Sequence, residues 1–210
     1  DLDVVHICTP RYLHAEMICA CLDRNINVLC EKPVAINEIQ LNLIELSVVR
    51  TKAQLAVCQQ NRFNASVRYL KELFKDQEIV AASGNLCWQR DAAYYNSAEW
   101  RGTHLQEGGG VMINQALHTL DLLQWFCGVP ETVIAHNSND TLQGIIDVEE
   151  SQLGIFKLKN GGRFIITATN ACTHSFPITL MFKSAETEAV LIGDHMIVNG
   201  KFVTKSDGLP

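Results

Sequence analysis

The chain has 210 residues, of which 47% are hydrophobic, and a net charge of −6. This length supports one sizeable domain, or one domain together with part of another. An acidic chain without clustered Lys and Arg is a poor match to nucleic acid. No apolar run reaches the roughly 18 residues of a membrane-spanning helix. We therefore expect a globular protein whose partners are neither nucleic acids nor membranes.

Eight cysteines are spread along the chain, mostly inside apolar runs and never as a C-x-x-C pair. Such cysteines usually serve as small buried hydrophobes in a reducing compartment, so we expect free thiols and a cytoplasmic location. The sequence opens without Met or a signal peptide, on "DLDVVHICTP", which reads as a buried strand. We therefore expect the chain to be a fragment of a longer protein.

The first sixty residues alternate between apolar runs and amphipathic stretches. Strands are predicted at 3–9, 25–30 and 53–60, and helices at 12–24 and 37–50, the latter with Asn37 as its N-cap. Strand–helix–strand alternation predicts a parallel sheet. We place the end of this unit near residues 56–61, which gives a first domain of residues 1–57 and a second of residues 58–210.

The remainder of the chain has a different texture. Helices are predicted at 65–75 and 109–127, and residues 91–107 are predicted to form a loop. Strands are predicted at 79–89, 131–138, 151–171, 177–184 and 189–203, with hairpin turns at Asn160-Gly161-Gly162 and Asn199-Gly200. This pattern predicts an α+β domain in which helices cover one face of a large, mostly antiparallel sheet.

Glu31, Lys32 and Pro33 follow the second predicted strand in "VLCEKPVA". Open α/β sheets bind ligands at the carboxyl ends of their strands, so these charges are well placed for function. Pro33 restricts Lys32 to an extended conformation and thereby directs its side chain. The alternative is a solvated turn.

A second candidate is the stretch "EGGGVMINQALHTLDLLQWFCG", residues 107–128. Asn114, His118, Asp121 and Trp125 are spaced to share one helical face. An imidazole delivered into a cleft could exchange a proton at neutral pH. The alternative is a core histidine that hydrogen-bonds Asp121 or a backbone group.

Polar and aromatic residues form two further clusters. Gln60 and Arg62 end the third predicted strand, and Trp100 and Arg101 share a loop with two tyrosines. Aromatic side chains beside Arg suit a carbohydrate or a phosphate, although a packed surface loop would look the same. We predict no metal site, because four further histidines do not have the spacing of metal ligands; these are His104, His136, His174 and His195.

Three stretches resemble, in order and spacing, one known family. "VVHICTPRYLHAEM" resembles its T-P-x-x-x-H signature, "VLCEKPVA" its E-K-P signature, and "EGGGVMINQALHTLDLLQW" its G-G-G…H-x-x-D helix. The family is that of glucose–fructose oxidoreductase and inositol dehydrogenase (Gfo/Idh/MocA), which are NAD(P)-dependent. The resemblance covers essentially the whole chain. It implies the C-terminal part of a Rossmann sheet, then an α/β domain whose large sheet commonly pairs with a second copy in a homo-oligomer.

The resemblance also implies roles for individual residues. The implied catalytic residues are Lys32, His118 and Asn114, the last at a position where many members carry Asp. Implied contacts to NAD or NADP are Thr9, Pro10, His14, Glu31, Lys32, Pro33 and Gln60. Implied contacts to a sugar or sugar-nucleotide substrate are Lys32, Arg62, Trp100, Arg101, Asn114 and His118.

The implied reaction is hydride transfer between nicotinamide and a secondary hydroxyl. The "WRGT" loop followed by "GGGVMINQ" looks most like the branch that oxidises the 3-hydroxyl of UDP-N-acetylglucosamine-derived uronic acids. A G-x-G-x-x-G turn is absent from this stretch of sequence, so NAD and NADP both stay open, and we expect this fragment alone to be inactive. The alternatives are a non-catalytic sugar-binding module and an oligomerisation module.

Overall fold

The β-branched runs of the first sixty residues form a parallel sheet of three strands. The computed structural model describes residues 2–203. The strands β1 (Val4–Ile7), β2 (Asn27–Cys30) and β3 (Leu55–Val57) lie side by side in chain order. The helices α1 (His14–Leu22) and α2 (Glu38–Arg50) connect them. The predicted strand–helix–strand pattern is confirmed, with strands shorter than expected.

The start of α2 shows how the sequence sets these boundaries. The Asn37 side chain accepts a 2.9 Å hydrogen bond from the backbone N–H of Gln40, which confirms the predicted N-cap. Behind the sheet, apolar side chains from β1, α1, β2 and α2 form one core, which includes Ile7, Ile18, Leu22, Val28 and Ile44. This core fixes where β2 ends and the segment at 31–33 begins.

The second part of the chain is built on an eight-stranded sheet. Its strands are β4 (Ala81–Cys87), β5 (Pro130–Ser138), β6 (Ser151–Leu158), β7 (Arg163–Thr169), β8 (Thr179–Lys183), β9 (Glu188–Ile192), β10 (His195–Val198) and β11 (Lys201–Val203). They are ordered β11-β10-β9-β8-β4-β7-β6-β5. All neighbours run antiparallel except β4 and β7, which are parallel. The predicted fold class, a parallel sheet followed by a mostly antiparallel one, is confirmed.

Both predicted hairpins are present. Asn160-Gly161-Gly162 joins β6 to β7, and Asn199-Gly200 joins β10 to β11. Asn199 and Gly200 both have positive φ, 48° and 77°, as a two-residue hairpin turn of this hand requires.

Helices cover one face of the large sheet, as expected. α3 (Ala65–Leu73) and α7 (Leu117–Cys127) contribute Leu70 and Leu123 to a core with Phe164 and Phe182 of the strands, and all four side chains are fully buried. Alternate residues of β7 point into this core. Within residues 2–203, the side chains of β7 that point to the opposite face are mostly exposed.

Two predictions about the helices are wrong. Residues 91–107, predicted as a loop, contain α4 (Ala92–Tyr95) and α5 (His104–Glu107). The predicted helix 109–127 is two helices, α6 (Val111–Asn114) and α7. The chain turns between them because the N–H of Ala116 bonds back five residues, to the carbonyl oxygen of Val111. Asn114 and His118 therefore do not share one continuous helical face.

All eight cysteines are free, as predicted, but only Cys30 is buried and Cys8 is exposed. The other six are partly buried, and Cys19, Cys21 and Cys127 pack against the two cores, so the expectation of fully buried thiols holds only for Cys30. Within residues 2–203, no helix has both the length and the apolar character needed to cross a membrane.

Candidate active site

Lys32 lies just beyond β2, at the carboxyl edge of the parallel sheet. Its Nζ donates a 2.6 Å hydrogen bond to the backbone carbonyl oxygen of Asn114, which belongs to the second part of the chain. The Lys32–Pro33 peptide bond is cis. Burial, and after it the charge of Arg11, lowers the pKa of Lys32 to about 8. Lys32 is thus a fixed hydrogen-bond donor that loses its proton at mildly alkaline pH.

Asn114 is buried at the end of α6, and its amide is occupied at both ends. Its Oδ1 accepts a 2.8 Å hydrogen bond from Nη2 of Arg11, and its Nδ2 donates to Oε1 of Glu107. Arg11 Nη1 lies 3.3 Å from that same carboxylate oxygen. An amide so engaged holds its neighbours and takes up no proton. The geometry therefore favours a positioning role for Asn114 over the predicted catalytic one.

Arg11 and Glu107 are site residues that sequence reasoning missed. Glu107 is fully buried; burial raises the pKa of its carboxyl, while the backbone N–H of Gly102 and the Arg11 guanidinium oppose this shift. Arg11 directly follows the Thr9-Pro10 turn, so its place at a strand end was the available signal. Glu107 precedes the glycine run, and its spacing gave no indication of its partner Arg11, which lies 96 positions earlier in the chain.

Two of the three consecutive glycines are required by close backbone approach. Gly108 has a φ of +82°, and a Cβ there would lie 2.4 Å from the carbonyl oxygen of Ile36. A Cβ on Gly110 would lie 1.8 Å from the carbonyl oxygen of Glu149. Neither contact is possible for a residue with a side chain. The glycines thus bring the start of α6 against both the first part of the chain and the segment before β6.

His118 is buried in the first turn of α7. Its Nε2 lies 3.4 Å from Nε2 of Gln60. Because an amide nitrogen only donates, this contact is a hydrogen bond when the facing imidazole nitrogen carries no proton. Burial, and after it the charge of Lys32, lowers the pKa of His118. The ring is therefore neutral at neutral pH, with its unprotonated nitrogen beside Gln60, which is the state a general base needs.

Asp121 does not bind His118. It forms a two-point ion pair with Arg62, whose Nε and Nη2 lie 2.8 Å and 2.6 Å from the two carboxylate oxygens. The Arg62 guanidinium also lies over the Trp125 ring at 5.0 Å. The predicted substrate contact of Arg62 is therefore disfavoured, because its charge is already neutralised inside the protein.

The turns that follow β1 and β2 are tied together by His14. Its ring nitrogens lie 2.8 Å from the carbonyl oxygen of Pro33 and 2.9 Å from that of Thr9. The side chain is only 1% exposed, so His14 supports these turns and has no surface left for a cofactor. Pro10 and Glu31 are half-buried at the same edge of the sheet and stay predicted cofactor contacts.

A cleft of about 640 Å³ opens beside these turns. Its walls include Lys32, Pro33, Val34, Arg62, Leu117 and Asp121. Small-molecule sites commonly span roughly 300–1,000 Å³, and they favour the carboxyl ends of parallel strands. Lys32 thus lines a cleft of suitable size and contacts Asn114, while the contacting pair His118 and Gln60 directly follows the lining residues Leu117 and Gln59 in the chain.

Within residues 2–203, one group of side chains has metal-ligand geometry, formed by residues too far apart in the sequence for their spacing to indicate it. The ligand atoms of His6, Glu31 and Cys58 all lie within 4.8 Å of one another at the carboxyl ends of the three parallel strands. His6 and Glu31 are substantially exposed, and their closest atoms are 3.9 Å apart. We propose no metal there, because Glu31 is also a predicted cofactor contact.

Trp100 and Arg101 lie on the other side of Asn114. The Arg101 guanidinium lies 4.7 Å from the Trp100 ring, and the Arg11 guanidinium lies 5.3 Å from the same ring. Arg101 Nη1 also donates a 2.6 Å hydrogen bond to the hydroxyl of Tyr94. These two predicted substrate contacts therefore adjoin the Lys32 site through Arg11, while Arg62 lines the same cleft as Lys32.

Two family models match the chain. "Oxidoreductase family, NAD-binding Rossmann fold" matches residues 1–58, and "GFO/IDH/MocA C-terminal domain" matches residues 67–196. The second match alone covers more than half of the 210 residues.

Similar proteins include 2,7-anhydro-N-acetylneuraminate hydratase of Mediterraneibacter gnavus, 27% identical over 69% of this chain and 38% of the relative. A solved structure of the WlbA dehydrogenase from Chromobacterium violaceum, in complex with NADH and UDP-GlcNAcA, is 26% identical with a TM-score of 0.85, covering 97% of this chain and 59% of that one. Levoglucosan dehydrogenase in complex with NADH is 25% identical with a TM-score of 0.83, over 94% and 57%.

The chain spans about half or less of the curated relatives that it matches, from 24% to 50% of their length. The matches nonetheless cover both the parallel sheet and the large sheet, with the Lys32 and His118 site between them. The chain belongs to the GFO/IDH/MocA family of oxidoreductases.

Proposed function

We propose that the protein containing this chain transfers a hydride between a nicotinamide cofactor and a secondary hydroxyl of a sugar or sugar nucleotide. The observation that carries this proposal is the pairing of Lys32 and His118. Lys32 is a hydrogen-bond donor with a pKa of about 8, and His118 is a buried base whose pKa is lowered by burial and by the charge of Lys32. Perturbed titratable groups beside a cleft are typical of catalytic sites.

His118 accepts the proton of the substrate hydroxyl in the direction of oxidation. Its acceptor nitrogen faces Gln60, whose exposed amide is held only by a long contact and gives way to a hydroxyl. The neutral ring has the lowered pKa needed to be available as a base at neutral pH.

Lys32 donates a hydrogen bond to the oxygen that becomes the carbonyl. Its ammonium group has three donors, one of which is occupied by the carbonyl oxygen of Asn114. The remaining donors stabilise the negative charge that develops on the substrate oxygen. Arg11 and Glu107 hold Asn114, and through it they fix the position of Lys32.

The strand-end turns fit a nicotinamide cofactor. They lie at the carboxyl edge of a parallel sheet, and the cleft beside them has room for a ring next to Lys32. Thr9, Pro10, Glu31 and Pro33 would hold it there. When bound, NAD or NADP supplies the hydride acceptor, and the protein supplies orientation and proton transfer. Bound NADH in two similar solved structures supports NAD.

For the substrate we propose a UDP-N-acetylglucosamine-derived uronate, oxidised at its 3-hydroxyl. The complex of WlbA dehydrogenase with UDP-GlcNAcA supports this choice. One similar curated protein is named as a hydratase, so the net reaction differs among proteins similar to this chain. Accumulation of NADH is therefore the required readout.

The test is a screen of the full-length protein against nucleotide sugars, inositols and free aldoses with NAD⁺ and NADP⁺. We expect NADH formation with a nucleotide sugar, and losses of about 10²–10⁴-fold in His118→Asn and Lys32→Met. An Arg68→Gln variant, altered on the exposed surface of α3, serves as the control and keeps the wild-type rate. Wild-type rates in both site variants would refute the assignment of these residues.

A further inference from the structure

Beside the Lys32 site, three arginines alternate with three aromatic rings. Arg101 lies 4.4 Å from the Tyr94 ring and 4.7 Å from the Trp100 ring. The Arg90 guanidinium also lies near Tyr94, 4.8 Å from the centre of its ring. We call this set the arginine–aromatic row; its members are Arg11, Arg90, Arg101, Trp88, Tyr94 and Trp100.

The row begins at the reacting groups and leads away from them. Arg11 contacts the side chain of Asn114 at 2.8 Å, while Lys32 contacts the backbone carbonyl of the same residue. Arg11 shares the Trp100 ring with Arg101, and Arg101 shares the Tyr94 ring with Arg90. Arg101 and Arg90 thus follow Arg11 in a continuous series of contacts that starts at Asn114, the residue that Lys32 contacts.

The row carries positive charge that the protein does not neutralise. Arg11 pairs with Glu107, but among residues 2–203 neither Arg90 nor Arg101 has a carboxylate within 4.0 Å. Burial lowers the pKa of Arg11, and the charge of Arg101 lowers it further, whereas the carboxylate of Glu107 raises it. Grouping like charges is unfavourable, so such a cluster needs a compensating anion.

Hydrogen-bond donors in the row also exceed the available acceptors. In the described part of the chain, the side chain of Arg90 makes one hydrogen bond, to the carbonyl oxygen of Gln89, and that of Arg101 makes one, to the Tyr94 hydroxyl. The Nε atoms of both are buried without a partner. A guanidinium has five N–H donors, and unsatisfied buried donors are rare and costly.

We propose that Arg90 and Arg101 bind the diphosphate of a nucleotide-sugar substrate, an inference that rests on the proposed function for the placement of the sugar at Lys32. The planar guanidinium groups offer paired donors that match phosphate oxygens. The stacked aromatic rings hold these groups rigid, which reduces the entropy lost on binding. Two unpaired cations suit the two negatively charged phosphates of a diphosphate better than a neutral sugar.

The test is calorimetric titration of the full-length protein with UDP and with uridine at saturating NADH, so that UDP cannot occupy the site of the cofactor's own diphosphate. We expect UDP to bind at least about tenfold more tightly than uridine. Arg90→Gln and Arg101→Gln should each weaken UDP binding about tenfold or more, as expected for a lost charge-assisted hydrogen bond. Uridine binding should not change.

Arg68→Gln is the matched control, since it removes an exposed arginine outside the row and should bind UDP like wild type. Should a Gln variant fail to fold, Arg101→Lys keeps the charge but loses the planar fork, and it should bind UDP with intermediate affinity. Equal affinities for UDP and uridine, or unchanged UDP affinity in the variants, would overturn the proposal.

Because binding is measured without turnover, the two proposals fail separately. If the protein binds UDP through Arg90 and Arg101 but forms no NADH from any sugar, the diphosphate site is supported and the proposed function is refuted. If the protein oxidises a neutral sugar at a rate that Arg101→Gln does not change, the proposed function is supported and the diphosphate site is refuted.

Discussion

Lys32 and His118 need opposite protonation states for the same reaction. The base must be neutral, and the pKa of His118 is lowered by burial and by Lys32, so activity falls only when the pH drops below this lowered value. The donor must be protonated, and the pKa of Lys32 is about 8, so activity falls again as the pH rises past it. We therefore predict a bell-shaped profile of kcat/KM for sugar oxidation.

Steady-state rates in buffers from acidic to alkaline pH check this profile. His118→Asn should lose the acidic limb as well as rate, because no base remains to be protonated. A single rising limb in the wild-type enzyme, with no fall near pH 8, would show that Lys32 does not act as the donor.

A second prediction concerns Asn114. Asn114→Asp places a carboxylate next to Arg11, against the carboxylate of Glu107 and in the residue whose backbone carbonyl binds Lys32. A negative charge there favours the ammonium form of Lys32, so the alkaline limb of the profile should move to higher pH. The resemblance implies that many relatives carry Asp at this position, so we expect the variant to keep activity. An unchanged limb would limit Asn114 to a purely structural role.

At the scale of secondary-structure elements, the glycine run sets where α6 begins. We predict that Gly110→Ala displaces α6, because its Cβ would meet the carbonyl oxygen of Glu149 at 1.8 Å. The free energy of unfolding should fall by roughly 1–3 kcal/mol, as for other overpacked sites, measured by denaturant titration. Gly109→Ala is the matched control, since its nearest contact is a flexible Ile113 methyl at 3.1 Å. Equal stability of the two variants would contradict this account.

The elements also show what the sequence could predict. Asn37 as a cap, the Asn199-Gly200 turn and the alternation of apolar residues in β7 are local signals, and the structure confirms each of them. The break between α6 and α7 gave no signal, because residues 109–127 keep a helical spacing throughout. Helices of four residues such as α4 and α5 are too short to show any period.

The site was predictable only in part, for a related reason. Lys32 and His118 stand next to recognisable strand ends and glycines. Arg11 and Glu107, in contrast, acquire their role through a contact between distant parts of the chain. Arg62 was predicted as a substrate contact, and nothing in the sequence indicated its ion pair with Asp121. Pairing of charges across the fold depends on tertiary packing, which local sequence spacing does not encode.

At the scale of the whole molecule, the face of the large sheet opposite its helices carries a group of exposed isoleucines. Ile134, Ile155 and Ile165 lie in register on neighbouring strands, and each is at least 39% exposed. An apolar face of this kind is typical of an interaction surface. We propose that two copies of the protein pair through it, as the family resemblance implies.

Ile155→Lys tests this pairing, because it places a charge at the centre of the face. Sedimentation analysis of the full-length protein should show a smaller species than wild type. Val49→Lys is the control, since Val49 is 84% exposed on α2, away from the sheet, and the mass should not change. A wild-type mass for Ile155→Lys would contradict pairing through this face.

The molecule as a whole joins two units at one site. Arg11 and Lys32 come from the parallel-sheet unit, and Glu107, Asn114 and His118 come from the large-sheet unit. The central claim is that this junction supports hydride transfer from a sugar carbon, with His118 as the base.

The most direct measurement follows deuterium from C3 of UDP-N-acetylglucosaminuronate to the nicotinamide, by mass spectrometry of the reduced cofactor in single turnovers. We predict deuterium in the cofactor formed by the wild-type, full-length protein, and the same product formed at least about 10²-fold more slowly by His118→Asn. Reduced cofactor without deuterium, or equal rates for the two proteins, would contradict the account.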